Sequence, residues 1–333
     1  MFRSYFFVPL SGFLISWLAC FGMRWLGHKF EIIDIPSSRK IHKGSIPRAG
    51  GAAIFLGTWI PSVFFLSTHI HKLILIGGFL SLMLGLYDDI KGLSSWRKFL
   101  FQLLIGVLLA SAGLQVNFVE LPFIGTLKLG FFAIPFAALW ISLAMNAVNL
   151  IDGLDGLCSS IVLVSALTFL AMGNEIGVVL SLAAAVVGFL LLNFQPASLF
   201  MGDGGSYFLG FMLAALSISW SQHSGQKFSV LPSLFVMGLP LIDTALAIIR
   251  RAIYKKPIFF ADGGHIHHCL LKRGLSARRV VFVLTAIQSV FCGAGYVFYQ
   301  GALWQMWIAA FLVIFLIGIL FAEVVWKPRT ASI

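Results

Sequence analysis

Four short segments of the chain carry side chains suited to handling a metal-bound phosphate. They are Asp88-Asp89, the run Leu150-Ile151-Asp152-Gly153-Leu154-Asp155-Gly156-Leu157, Met201-Gly202-Asp203-Gly204-Gly205, and His265-Ile266-His267-His268. Mg²⁺ favours one or two carboxylates completed by phosphate oxygens and water, which a lone Asp203 among glycines could provide. Asp152 and Asp155 stand at i and i+3, on one helical face. The glycine after each breaks the helix and exposes backbone groups, as in a loop that grips a polar ligand. Asp88 and Asp89 point about 100° apart on a helix, so one can face a metal or nucleophile while a base holds the other. Imidazoles beside Lys272 and Arg273 suit phosphate oxygens. Each segment also has a plainer reading: interfacial acids, a helix cap and turn, a Gly-rich turn, and a zinc site that adds Cys269. Structural zinc needs a fourth well-spaced ligand, and catalytic zinc leaves the distant acids unexplained.

The elements that must position these groups are membrane helices. Hydrophobic residues make up 59% of the 333 and charged ones 11%, far from a soluble balance. Only helices or closed barrels satisfy their backbones in lipid, and the apolar runs here have helical length. An all-α polytopic membrane protein is expected, one domain over 1–333, with catalytic loops between about 11 spans. These lie near 5–26, 49–67, 73–88, 98–114, 129–149, 158–172, 176–194, 205–221, 228–249, 279–299 and 303–325. The first, from Tyr5 to Leu26, is long enough for a span and too long for a signal-peptide core.

The odd-numbered connections, with their flanking span ends and the C-terminal tail, hold 19 of the 23 Lys and Arg residues. The positive-inside rule makes those connections cytoplasmic and the N-terminus external. All four chemical segments fall in or beside connections three, five, seven and nine, on that one side. The net charge of +11 therefore reflects topology and an affinity for anionic head groups or a phosphorylated substrate, not nucleic acid. Cys20, Cys158, Cys269 and Cys292 lack disulfide or metal-ligand spacing.

Further candidates flank these segments. Arg48 precedes Gly50-Gly51, where backbone can approach a ligand and a guanidinium fork suits phosphate. Arg39, Lys40 and Lys43 serve either topology or a ligand. Lys98, at the mouth of span four, could hold a phosphate. Asn146 and Asn149, a turn apart, support the Asp152 loop, and Asn193 precedes Gln195-Pro196. Asp243, inside span nine, either lines the cleft or pairs with Arg250.

Asn-Ala-Val-Asn-Leu-Ile-Asp-Gly-Leu-Asp-Gly-Leu and Met-Gly-Asp-Gly-Gly-Ser are specific motifs, and with the other segments they resemble the polyprenyl-phosphate N-acetylhexosamine-1-phosphate transferase family along nearly the whole chain. Pro47-Arg48-Ala49-Gly50-Gly51 and His265-Ile266-His267-His268-Cys269 depart from the Pro-Thr-Met-Gly-Gly and Pro-Ile-His-His-His of the peptidoglycan branch. Both departures resemble the WecA/TagO-type branch, which starts O-antigen, teichoic acid and other cell-surface glycans. The resemblance implies that Asp203 ligates Mg²⁺ (Mn²⁺ as a substitute) and that Asp88, with Asp89 beside it, is the base or nucleophile-positioning acid. It implies that Asp152 and Asp155 meet the uridine end of the donor. Asn193, Lys98, His267 and His268 would attend the diphosphate and lipid phosphate, with His265 beside them. Arg48, where the peptidoglycan branch has Thr, transfers least.

The implied reaction joins undecaprenyl phosphate and a UDP-N-acetylhexosamine, by default UDP-GlcNAc, at the cytoplasmic face of a bacterial inner membrane and releases UMP. A homodimer is compatible with it. A phosphate monoester, with a second pKa of about 6, is mostly dianionic at neutral pH, so Asp88 need not take a proton. The competing class is a transporter or flippase, which also uses intramembrane acids and broken helices. Against it, the acids gather at one face and no internal repeat is visible.

Overall fold

A computed structural model describes residues 2–34, 44–65, 68–121, 125–173, 175–223, 228–257, 264–301 and 303–326. Arg39, Lys40 and Lys43 lie outside the described residues. The chain is a helical bundle: α1 (Phe2–Lys29), α2 (Gly50–Ser62), α3 (His69–Lys91), α4 (Ser95–Ser111), α5 (Ala133–Ile151), α6 (Leu157–Ala171) and α7 (Ile176–Asn193). It continues with α8 (Gly202–His223), α9 (Val230–Val236), α10 (Gly238–Ile253), α11 (Ile266–Lys272), α12 (Ala277–Gln300) and α13 (Leu303–Phe321). Each expected span overlaps helix. Among the described residues, six stretches are long and apolar enough to cross a bilayer: Phe7–Lys29, His69–Lys91, Gly130–Ile151, Ile176–Asn193, Ala277–Gln300 and Trp304–Val325.

Helix α8 is the axis of the bundle. Its side chains from Tyr207 to Leu216 are buried, and α3, α5, α2 and α6 pack around it. An apolar helix buried all round is what a bundle core requires. Antiparallel α3 and α8 come so close that a Cβ on Gly85 would lie 2.3 Å from the Asp203 carbonyl oxygen. That contact joins the helix carrying Asp88 and Asp89 to the first turn of the one carrying Asp203.

The expected span 228–249 is broken instead of continuous. Pro240 has no N–H to offer the carbonyl of Val236 four residues earlier, so α9 stops and α10 restarts at Gly238. The freed groups find side chains. Gln288 Nε2 donates to Val236 O at 2.7 Å, Ser165 Oγ donates to the same oxygen at 2.7 Å, and Leu239 N donates to Gln288 Oε1 at 3.0 Å. A buried break in a membrane helix persists when such donors and acceptors are supplied. The redirected α10 carries Asp243 and Arg250 toward the histidine segment.

Short strands also form, which the hydropathy pattern does not announce. β1 (Ile33–Asp34) pairs antiparallel with β2 (Ile46–Pro47), Asp34 opposite Ile46. At the other end of the bundle, β3 (Phe118–Leu121) pairs antiparallel with β4 (Gly125–Lys128) and parallel with β5 (Phe228–Ser229).

Candidate active site

The inner ends of α3, α4, α5 and α8 meet. Asp88 and Asp89 diverge there as adjacent helical residues must. Asp89 Oδ1 accepts the N–H of Asp203 and its Oδ2 that of Gly204, both at 3.1 Å. An acid of one helix thereby caps the first turn of another, satisfying amide donors that helix geometry leaves unpaired. Asp203 Oδ1 accepts from Asn149 Nδ2 at 2.9 Å, and the same amide reaches Ser206 Oγ at 3.0 Å. Asn149 thus steadies the carboxylate of Asp203 more than the Asp152 loop.

Asp88 is buried behind this layer. Its Oδ1 accepts from Leu93 N at 2.7 Å, and its Oδ2 accepts from Tyr207 at 3.0 Å and from Lys98 Nζ at 2.5 Å. Lys98 Nζ also lies 3.0 Å from Asp203 Oδ2. Three donors fix one carboxylate in place and leave Asp88 tied to Lys98.

The 150–157 loop forms because α5 ends at Ile151 and α6 begins after Gly156, whose φ of +76° suits glycine. Asp155 Oδ2 accepts from Ala197 N at 3.0 Å. Asp152 is partly exposed at the cavity wall. Burial, then the carboxylates of Asp203 and Asp89, push its pKa up to about 7. Asn193 is buried at the cavity wall: Oδ1 accepts from Gly156 N at 3.1 Å and Ser159 Oγ at 3.2 Å, while Nδ2 donates one hydrogen to Leu199 O at 3.1 Å. It braces the two loops that frame the cavity. Asn146 is a correction: its amide donates to the Gln102 side-chain oxygen and to Ser142 O at 2.8 Å, tying α5 to α4.

The histidine segment divides by role. Asp243 settles into neither expected place: its Oδ2 pairs with His265 Nδ1 at 2.7 Å and its Oδ1 accepts from Ile266 N at 2.8 Å, while Arg250 donates to Gly264 O at 2.6 Å. His265 is therefore a buried anchor for α11. His267 is 1% exposed, and among the described residues neither ring nitrogen has a hydrogen-bond partner. Its ring lies so close to Gly153 that a Cβ there would sit 2.2 Å from Nε2. Burial, then the neighbouring His268 ring, lower its pKa to about 3, so it is neutral. His268 is the histidine on the cavity wall. The rings stack on one another, His265 on His267 at 5.9 Å, and among the described residues no three His, Cys, Asp or Glu side chains gather as a metal cage.

The β1–β2 ladder brings in Asp34, which residue spacing does not single out. Its buried carboxylate pairs with the Arg48 guanidinium. Tyr207 was equally hidden, as one more aromatic in an apolar run. A cavity of about 930 Å³ opens over this floor, walled by Asp34, Asp89, Asp152, Asp155, Asp203 and Arg48 among others. Asp88 and Lys98 stand outside that wall, on the α4 side of Asp203.

The model for glycosyl transferase family 4 matches residues 71–221, which include Asp88, Asp89, Lys98, Asn149, Asp152, Asp155, Asn193, Asp203 and Tyr207. The chain is 38% identical over 299 residues to a probable undecaprenyl-phosphate N-acetylglucosaminyl 1-phosphate transferase of Bacillus subtilis (strain 168), covering 86% of this chain and 83% of that one. It is 32% identical over 322 residues to a decaprenyl-phosphate N-acetylglucosaminephosphotransferase of Mycobacterium tuberculosis (strain ATCC 25618 / H37Rv), covering 85% and 79%. It is 27% identical over 327 residues to an undecaprenyl-phosphate alpha-N-acetylglucosaminyl 1-phosphate transferase of Yersinia pestis, covering 92% and 88%. The apolar helices, the order of the motifs and these matches agree over most of the length, and the chain belongs to glycosyl transferase family 4 as a WecA/TagO-like, multi-pass bacterial membrane transferase.

Proposed function

We propose that the protein transfers N-acetylhexosamine 1-phosphate, GlcNAc 1-phosphate by default, from the UDP-sugar to undecaprenyl phosphate and so starts a lipid-linked cell-surface glycan. The observation that carries this reading is the acid-lined cavity at one end of the bundle with Lys98 beside it, in a chain similar over most of its length to transferases named for polyprenyl phosphate and N-acetylglucosamine. A lipid phosphate oxygen attacks the sugar-bearing phosphorus of the donor. The new P–O bond replaces the bond to the uridylate oxygen, and UMP leaves with that electron pair.

Two anions must meet, so charge is the main obstacle. Five carboxylates and two guanidinium groups, Arg24 and Arg48, line the cavity, a balance that would repel a diphosphate. Such a donor set fits a hard divalent cation held by one or two acids with phosphate oxygens; Asp203, at the centre of the polar contacts, is the residue to hold Mg²⁺, or Mn²⁺ in its place. The bound cation would supply neutralisation of the diphosphate and of the charge developing on UMP. Asp152 and Asp155, on the loop against Ala197, face the nucleoside end of the donor. Lys98 meets the lipid phosphate, and Arg48 and His268 face the donor across the cavity. Asp89 and Asn149 orient Asp203. Asp88 orients Lys98 and takes no proton, because the lipid phosphate is already mostly dianionic at neutral pH.

The bundle would cross a bacterial inner membrane eleven times as a single domain, with this end in the cytoplasm, where the Lys and Arg excess lies. One chain supplies every side chain named, so a homodimer is compatible but not required. Detergent-solubilised protein given UDP-GlcNAc and undecaprenyl phosphate should release UMP only with Mg²⁺ present. A transporter would release none, and that result sinks the proposal. A panel of UDP-sugars, including N-acetylfucosamine, N-acetylquinovosamine and GalNAc donors, then reads the sugar. The stretch from Pro257 to His265 is the segment to discriminate among these sugars, and it lies mostly outside the described residues.

A further inference from the structure

Tyr207 is fully buried, one helical turn after Asp203 on α8. Residues four apart share a helical face, so its phenol and the Asp203 carboxylate look toward the same neighbours. Those neighbours are Asp88 and Lys98. The contacts close into a ring: Tyr207 O–H donates to Asp88 Oδ2 at 3.0 Å, Lys98 Nζ sits 2.5 Å from that same oxygen, and it reaches Asp203 Oδ2 at 3.0 Å. The helix backbone between Asp203 and Tyr207 completes it.

We propose that Tyr207 is a positioning residue for the transfer, acting through Asp88 to fix the Lys98 ammonium where it meets a phosphate; the inference rests on the transferase reading above. A lysine head is a point charge on a flexible stem, with three donors and no preferred direction of its own. Its place is set by its partners. Asp88 and Asp203 take two of the three donors and leave the third for a substrate oxygen. Asp88 can define that place only if its carboxylate cannot turn. Leu93 N holds Oδ1 at 2.7 Å, and the phenol is the second donor on Oδ2. The Asp88 side chain is 1% exposed, so no solvent replaces a lost hydroxyl. Without it, Lys98 is the basic partner left on Oδ2, and the carboxylate is free to draw the ammonium away from Asp203.

The test is a double-mutant cycle on the detergent-solubilised full chain, with UMP release followed by a radiolabelled donor. Tyr207→Phe removes one oxygen from a buried site. It should lower kcat about ten- to a hundredfold, the range for losing a hydrogen bond to a charged group, and change KM for the UDP-sugar less than about twofold. In a Lys98→Arg background, where the ammonium is already gone, the same change should cost less than about threefold. Asp88→Asn provides a second background in which the effect should likewise shrink. A role confined to packing would multiply equally through every background, and that outcome overturns the inference, as does unchanged turnover in Tyr207→Phe. Should Tyr207→Phe lose its fold, Tyr207→Met in the same cycle replaces it, judged by the same coupling. Failure of the parent protein to release UMP would overturn the transferase reading itself, and the inference with it, whereas failure of the cycle in an active parent overturns the inference alone.

Discussion

Helices α3 and α8 are tied by buried polar side chains at both ends, and the two ties differ. At the outer end, His71 Nε2 lies 2.5 Å from Glu175 Oε2, and Glu175 Oε1 accepts from Ser219 Oγ at 2.6 Å. Thr68 N donates to His71 Nδ1 at 3.4 Å, leaving Nε2 to donate to the acid. That cluster pairs one acid with one imidazole and a hydroxyl. At the inner end, Asp88 and Asp203 share Lys98 while Asp89 caps the first turn of α8, and Asp89 and Asp203 face a cavity with more acids on its far side. Burying polar groups is ordinary where each finds a partner. What marks a site is charge left unbalanced next to a space. The outer tie holds helices together, and the inner one holds them together while keeping acid available to a ligand.

The sharpest way to break this contrast is at its centre. Asp203→Asn keeps the shape and the amide contacts but removes the charge that faces both Lys98 and the cavity. Turnover should fall by at least about a hundredfold, as for loss of a preorganised electrostatic partner, while thermal stability changes little or rises because acid crowding is relieved. The assay is UMP release alongside a melting curve. Activity within tenfold of the parent would mean that the unbalanced inner charge is not what the site uses.

The same contrast explains what could be read in advance. Acids at the ends of apolar runs stand out in any hydropathy profile, so Asp88, Asp89, Asp152, Asp155 and Asp203 were visible, as was their common side. Direction was not. Asn146 and His265 share residue types with ligand-binding groups, yet packing turns them toward Gln102 and Asp243. Side-chain type says what a residue can bond, and only the tertiary neighbours decide which bond it makes. Asp34 and Tyr207 were hidden for the converse reason: a lone acid in a basic loop and one aromatic in a Phe-rich helix carry no pattern. The ninth span was expected unbroken, although Gly238-Leu239-Pro240 punctuates its apolar run. Stabilisation of the break by Gln288, some fifty residues away, was not legible either.

A second, smaller effect concerns pH. Asp152 stands at about 7, raised by burial and then by Asp203 and Asp89. A carboxyl held above its ordinary value of 3.8 is better tolerated protonated. Its stabilising contribution is complete below that ordinary value and is lost as pH rises through about 7. In chelator, the parent protein should therefore melt progressively lower from about pH 5 to about pH 8, and Asp152→Asn should flatten that trend. Parallel melting profiles for parent and variant would show that the inner acids do not feel one another, and the two ends of the bundle would then be electrostatically alike.

The least effect on turnover is expected at the outer tie. Glu175→Gln keeps the size but removes the charge that His71 and Ser219 bond, and His71→Gln removes the partner from the other side. Breaking a buried pair leaves a polar group without its match, at about 3–5 kcal/mol for full burial. The side chains here are 9% and 11% exposed, so about 2–4 kcal/mol of stability should go. Because α3 and α8 stay joined at the inner end by the Asp89 cap and the close contact at Gly85, kcat below the melting transition should remain within about twofold of the parent. Melting curves and UMP release on the same samples separate the two quantities. A tenfold fall in kcat at a temperature where the variant is still folded would mean that the outer clasp sets the register of Asp203 against Asp88 along the whole helix pair. The ends would then be one device, and the distinction between holding and reacting would lie in the length of α8 instead of its termini.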